Sequence, residues 1–373
     1  MKKVTLPSDI VNIFEALQKS FPSKKLEVVG HNIVFKGTDR SVASYDADSF
    51  HLWENLINVD TALALSQYPH PVHFSGLENI SLPIAQALSG SQSSLIFWQL
   101  KSICMQSAFA LAKSGGKLMF PVMRQLSPQV AASLASHDAP LVLRGLQHLN
   151  AETARMLIPH RHRLVISTEQ LDVETAEELS FHKGHQLEVL IHYLSPTVAA
   201  ALAQHSGILS LFNAGKAIFG SEVAKSLATH RETLLYNADM IPSEARALAG
   251  HNGSLWIGDA FKPKPAALRA LSRHSGELHF PYLKSISSAN CQALMSHEGL
   301  LNLTSLHRIS EKGARFLVRH RGPLAVKIAK LPTASRIIFE QKDNLVPDQI
   351  SFEQVSRQAE IAWRNNPHTV RAS

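Results

Sequence analysis

The stretch "LMSHEGLLNLTSL", Leu294 to Leu306, is echoed by "LSRHSGELHFPYL" from Leu271 to Leu283 and by "LASHDAPLVLRGL" from Leu134 to Leu146. Each begins with Leu, places His three residues on, and carries apolar residues at its eighth, tenth and thirteenth positions. Anchoring on that first Leu gives positions 65, 88, 111, 134, 157, 179, 202, 227, 248, 271, 294 and 317, twelve units at steps of 21 to 25 residues, mostly 23. A fixed period of this length is the signature of a solenoid in which each unit buries its apolar face against the next.

Each slot of the repeat has a physical role. Three residues before the anchor, eleven of twelve units place a small residue (Ala in ten, Cys291 in one), with Leu268 the exception. That offset shares a helix face with the anchor, so a small side chain there lets neighbouring helices approach closely. Seven before the anchor, most units offer an N-capping residue: Asn58, Ser81, Ser127, Asn150, Asp172, Ser195, Ser287 and Ser310. Pro128, Pro196 and Pro265 follow at the first helical position, where a missing N–H costs nothing. Gly184, Gly207, Gly253, Gly276, Gly299 and Gly322 lie two residues past the recurring His and are expected to end the helices in the left-handed region. A helix of about three turns is predicted. The apolar–x–apolar run after each glycine predicts one short strand with two inward side chains. The fold class is therefore an α/β solenoid, one short parallel strand and one short helix per repeat.

The run LxLxxLxxIS, clearest at Leu301–Ser310, resembles a leucine-rich repeat, and the resemblance covers about residues 57–330. It departs from that family where an Asn or Cys usually follows the second strand Leu, because Leu146, Leu283 and Leu306 stand there. The resemblance implies a divergent, bacterial, leucine-rich-repeat-like array. The slot three past the anchor holds His137, His160, His182, His205, His230, His251, His274, His297 and His320. These are expected to form a structural ladder in the last helical turn, bonding helix-end carbonyls in place of the missing asparagines. Equivalent positions of successive turns form a line and do not converge on one point, so a metal site is not expected.

The domain organisation reads as a small α+β capping unit over 1–55, a twelve-repeat solenoid over 56–330, and a C-terminal cap with a helix and frayed tail over 331–373. "PSDIVNIFEALQKSF" has helical spacing, and "KLEVVGHNIVFKG" reads as two strands about a Gly-His-Asn turn. "DQISFEQVSRQAEIAWRNN" reads as an amphipathic helix. The repeat register is least regular over 179–260, where Gly215 and Gly220 accompany the 25-residue step.

Function is expected on the outward face of the sheet. Alternation turns Trp98, Met119, Val142, Arg144, Leu190, Phe212, Leu235, Trp256 and His279 to that face, and Trp98, Phe212 and Trp256 are typical anchors of binding energy. The implied partner is a protein or peptide, with pairing between copies through the apolar face a second route to covering it. The chain carries a net charge of +7, unevenly placed: residues 308–373 hold 12 Lys/Arg against 6 Asp/Glu, a net of +6. Nucleic acid or another polyanion bound by this basic C-terminal segment is the alternative. "HRHR" at His160–Arg163 and "RHRG" at Arg319–Gly322 read as arginines decorating a helix end. No GxGxxG, P-loop, HExxH or GxSxG occurs, so neither an enzyme nor a cofactor is expected. With no signal-like or membrane-spanning apolar run, the expected location is cytoplasmic.

Overall fold

The computed structural model describes residues 7–214, 219–340, 342 and 345–346. The chain divides into two compact units, Met1–Thr168 and Glu169–Ser373.

The first unit opens with α1 (Ser8–Ser20) and an antiparallel meander of β1 (Leu26–Val29), β2 (Asn32–Phe35), β3 (Ser41–Tyr45) and β4 (Phe50–Leu52). Gly30, in the β1–β2 turn, takes φ +62°, which suits a residue without a Cβ. From β4 onward every pairing within the unit is parallel. The repeats run α2 (Val59–Ser66), β5 (Val72–Phe74), α3 (Leu82–Leu88), β6 (Leu95–Phe97), α4 (Met105–Leu111), β7 (Leu118–Phe120), α5 (Pro128–Ala135), β8 (Leu141–Leu143), α6 (Ala151–Leu157) and β9 (Leu164–Thr168).

The second unit continues the same alternation with α7 (Val173–Ser180), β10 (Gln186–Ile191), α8 (Pro196–Leu202), β11 (Ile208–Asn213), α9 (Ser221–Leu227), β12 (Leu234–Asn237), α10 (Pro242–Leu248) and β13 (Leu255–Ile257). It ends with α11 (Pro265–Leu271), β14 (Leu278–His279), α12 (Ser288–Leu294), β15 (Leu301–Asn302), α13 (Glu311–Leu317), β16 (Leu324–Ala325), α14 (Thr333–Phe339) and β17 (Leu345–Val346). Strands β10 to β17 pair in parallel, each with the next. Each unit is thus an open leucine-rich-repeat-like α/β solenoid, as the period predicts. Gly215 and the amphipathic stretch 348–366 lie outside the described residues. Among the described residues no helix is long and apolar enough to cross a membrane.

The repeat slots explain the packing. All twelve anchor leucines and all twelve residues three before them are at most 1% exposed. Leu268 is fully buried in its small-residue slot, so α11 accommodates the larger side chain without exposing it. The caps at Asn58, Ser127, Asn150, Asp172, Ser195, Ser287 and Ser310 each accept from the backbone N–H three residues on; Ser81, expected to do the same, takes the extended cap backbone ahead of α3 but its side chain makes no cap bond. At Cys104 a thiol fills the same slot and accepts from Ser107 N–H. One residue before the small slot, Ser107, Thr153 and Asn290 donate across to the carbonyls of Ile80, Leu126 and Pro263 in the preceding repeat. Inside the sheet Phe74, Phe97 and Phe120 stack in a row, their centroids 4.8 and 5.5 Å apart.

Two expectations need correction. The repeat helices span seven or eight residues, about two turns rather than three, and end at or just after the anchor. The glycines two past the histidine are not left-handed: among the described residues only Gly30, Gly37 and Gly220 have positive φ. Glycine is needed for space instead. A Cβ at Gly253 would lie 2.0 Å from the Glu232 carbonyl oxygen, and one at Gly299 would lie 2.1 Å from that of Gly276. At these glycines backbone meets backbone, so a side chain there would clash. The irregular 25-residue step is held by the buried Glu244 carboxylate, which accepts from Gly220 N–H, Ile241 N–H and the Tyr236 hydroxyl.

The histidine column lies just past the helices, outside their last turn. Each of the nine backbone N–H groups donates to its anchor Leu carbonyl at 3.0–3.1 Å, or 2.9 Å at His274. All nine rings are at most 2% exposed. They stack in successive pairs: His137 on His160 in the first unit, His182 on His205 in the second, and His230, His251, His274, His297 and His320 in one continuous row. The Nδ1–H groups of His137, His205 and His230 donate to the carbonyls of Ala112, Ser180 and Ala203, each at the end of the preceding repeat's helix. His320 donates from Nε2 to the Gly299 carbonyl. Burial, and then the neighbouring histidines, push the ring pKa down to about 3 at His160 and about 4 at His274 and His320. At His205, burial and then His230 bring it to about 3. His137, His230, His251 and His297 are lowered too, burial being the first cause.

Two predictions follow from this packing. Gly299→Ala should cost about 1–3 kcal/mol by forcing backbone apart, while Gly90→Ala should be near neutral, its nearest atom lying 3.9 Å away. Urea denaturation of the two variants distinguishes spatial from conformational need. The eight histidines with lowered pKa take up protons when the chain unfolds below the ordinary imidazole pKa of about 6.5 but stay neutral when folded. Stability should therefore be full above about pH 6.5 and fall as pH drops towards 4, by up to about 1.4 kcal/mol per pH unit for each ring. Urea midpoints between pH 7 and 4.5 measure it; a flat profile would contradict a buried, neutral column.

Candidate functional site

Parallel register lines up like positions of successive strands. In the first unit the central outward row runs His51, His73, Ile96, Met119, Val142, Val165. Ile96, Val142 and Val165 are buried and Met119 is half-buried. Flanking rows carry the accessible groups: Trp53 is 49% exposed, Trp98 39%, and Arg144 is exposed.

An aromatic row occupies the β4–β6 end of this face. Trp53 stacks on His51, His51 on His73 at 4.2 Å, and His73 on Trp98, with interplanar angles of 15–22°. The Trp98 indole N–H donates to His73 Nδ1 at 3.1 Å. Partial burial, then His51 and Lys117, lowers the His73 pKa and keeps that nitrogen available as an acceptor. Sequence reasoning began the outward rows at His73 and missed His51 and Trp53. The Phe50-x-Leu52 alternation was the available signal.

Lys117 and Arg163 border the same face. The Lys117 ammonium is driven below its ordinary pKa first by burial, then by the Arg163 and Arg144 guanidiniums. Arg163, assigned from sequence to a helix end, instead stands immediately before β9, in outward alternation with Val165.

In the second unit the central row runs Glu188, Ser210, Leu235, Trp256, His279, Asn302, Ala325. Every one of these is buried, Trp256 to 1% exposure. Leu190 and Phe212, paired in the next row, are half-buried. Trp256 stacks on His279 with centroids 4.1 Å apart and planes 5° from parallel. The polar groups form a closed chain. His279 donates from Nε2 to Glu277, and Asn302 donates to His279 Nδ1. Ser254 donates to the same Glu277 oxygen, and Asn302 in turn accepts from Thr304. The hydrogen bond from His279 is the main reason the Glu277 carboxyl sits below its usual pKa. Of the nine residues read from sequence as the binding face, Trp98 and Arg144 are exposed and Met119, Leu190 and Phe212 half-buried, while Val142, Leu235, Trp256 and His279 are buried.

No protein-family model matches the chain, and no curated protein does. Among solved structures, a leucine-rich-repeat protein of Leptospira interrogans is 15% identical over 83% of this chain and 97% of its own, with a TM-score of 0.25. The FeFe-hydrogenase maturase HydG of Carboxydothermus hydrogenoformans is 10% identical over 82% of this chain and 78% of its own, with a TM-score of 0.18. Superpositions this poor carry no weight. The strand–helix repeat itself defines the molecule as an α/β repeat scaffold.

The two tryptophans should respond very differently to truncation. Trp256→Ala, emptying a closed site, should destabilise by about 3–5 kcal/mol. Trp98→Ala, at a half-open site, should cost well under half of that, and urea unfolding of both variants gives the comparison.

Proposed function

We propose that the chain is a non-enzymatic scaffold that holds a protein or peptide on the outward face of its sheet. The observation carrying this reading is the accessible row of the first unit, where Trp53, Trp98 and Arg144 open to solvent beside half-buried Met119. Aromatic and arginine side chains on a rigid, strand-built surface combine large contact area with little ordering cost. On this reading residues 1–55 close the first end of the array by giving β5 a strand partner, so that the array over 56–330 presents no bare edge there. Residues 331–373 serve the other end. Leu190 and Phe212 offer a smaller accessible area in the second unit.

A photo-crosslinking amino acid at position 98, compared with one at Phe109 on α4, tests the assignment. In cells expressing the protein, position 98 should yield a discrete protein adduct and position 109 none. Adducts from position 109 alone would move the partner to the helical side, and an adduct of twice the chain mass would mean self-pairing.

A further inference from the structure

We infer that the helix face of the second unit, over α9–α13, binds the phosphate backbone of a nucleic-acid duplex. The inference is independent of the sheet-face reading, because it concerns the other layer of the repeat. Two residues before the anchor, five successive helices hold Lys225, Arg246, Arg269, Gln292 and Arg315, all exposed. Positions three before and four after that one share its helix face. They add Lys312 in α13, and Arg273 and Arg319 just past the ends of α11 and α13, exposed as well. Against these seven cations the same helices set two exposed carboxylates, Glu222 and Glu311, both in a first turn. Among the described residues none of the seven meets a carboxylate at ion-pair distance. Neighbouring carboxylates are occupied elsewhere: Glu244 with Gly220, Ile241 and Tyr236, Glu277 with Ser254 and His279, and Glu298 with Arg321. In the first unit the same position carries Leu63, Gln86, Phe109, Ala132 and Arg155, so the repeat pattern itself demands no cation there. Lys312, Arg315 and Arg319 come from the basic segment read in the sequence at 308–373, and the other four extend it over earlier helices.

The geometry sets the partner's form. Neighbouring helices pack about 10 Å apart, so the row from Lys225 to Arg315 runs about 40 Å, with one neutral step at Gln292. That is the length of about twelve base pairs at ~3.4 Å each. A strip this long and only one to three cations wide suits a linear polyanion. Five of the seven cations are arginines, whose planar forks bond phosphate oxygens in pairs. What the face lacks selects among polyanions. Single strands bind by stacking their bases on aromatic side chains, and protein partners through apolar or aromatic anchors. Helices that lie on membranes insert Trp, Phe or Leu. Between residues 221 and 322 the exposed large apolar side chains are Ile241 and Tyr282, both in the connections from strand to helix. Contact with a duplex backbone needs only charge and hydrogen-bond donors, and it reads no sequence.

The test is fluorescence anisotropy of labelled DNA and RNA duplexes, about 24 base pairs long and of mixed sequence, titrated with the full chain. At least one duplex should bind, with an affinity unchanged for an unrelated sequence. Its log Kd should rise by ~3.6 per decade of salt, as expected for about four phosphate contacts. The Arg246→Glu, Arg269→Glu, Arg315→Glu variant, confirmed folded by circular dichroism, should bind at least about tenfold more weakly and with a flatter salt slope. A Lys262→Glu, Lys264→Glu, Lys284→Glu variant makes the same charge change at exposed connections of the same unit and should bind nearly as tightly as the original chain. Should the first variant fail to fold, Arg269→Gln and Arg315→Gln, made singly, should each lower the slope by ~0.9. No binding of either duplex at about 50 mM salt, or equal losses in the two triple variants, would overturn the inference. Tighter binding of a single strand of the same sequence, or of phosphatidylserine vesicles, would overturn it in favour of that partner.

Discussion

Close approach of backbone to backbone between successive repeats is the constraint from which most of this architecture follows. Where a Cβ at Gly253 or Gly299 would stand near 2 Å from a carbonyl of the turn before, only glycine fits. The same closeness requires Ala or Cys on the inner face of nearly every helix, fully buried against its neighbour. It also brings equivalent histidine rings within 5.6–6.5 Å of each other, stacked with planes 1–28° apart. One translation, repeated, thus dictates three columns of the sequence.

Histidine in that column combines two properties that asparagine has only in part. Its flat ring stacks on the next along the solenoid, and its single N–H closes one carbonyl at the end of the preceding helix, as His137 does for Ala112. The second ring nitrogen of His137, His205 and His230 is buried with no hydrogen-bond partner among the described residues. Protonation there would bury a charge inside the fold and beside another ring, and burial is the first reason these pKa values are lowered. The column is therefore stable only as neutral imidazole, which ties the integrity of the array to pH in a way that an amide ladder would not.

The period, the caps and the strand alternation were legible in sequence because each is local: a cap needs only its own next three residues, and inward alternation only its own strand. Contacts between repeats were less legible. The spacing places Gly299 past a helix, but whether it serves conformation or space depends on the Gly276 carbonyl, 23 residues away. Likewise, alternation turns Trp256 outward, yet its burial depends on His279 and Leu235 in adjacent strands. His51 and Trp53 escaped because their strand precedes the first anchor, although it pairs in parallel like all the repeat strands.

The two outward faces divide their polar groups in opposite ways. In the second unit, Ser254, Glu277, His279 and Asn302 satisfy one another, and Trp256 spends its face on His279. A partner arriving there would have to break bonds already made, which costs the desolvation of each group left unmatched. In the first unit, burial first, and then the Arg163 and Arg144 guanidiniums, hold Lys117 below its usual pKa, and Trp53, Trp98 and Arg144 stay open to solvent. Repeats of the same backbone therefore differ in how much of the outward face they leave accessible, and the difference lies in side chains that the repeat pattern leaves free to vary.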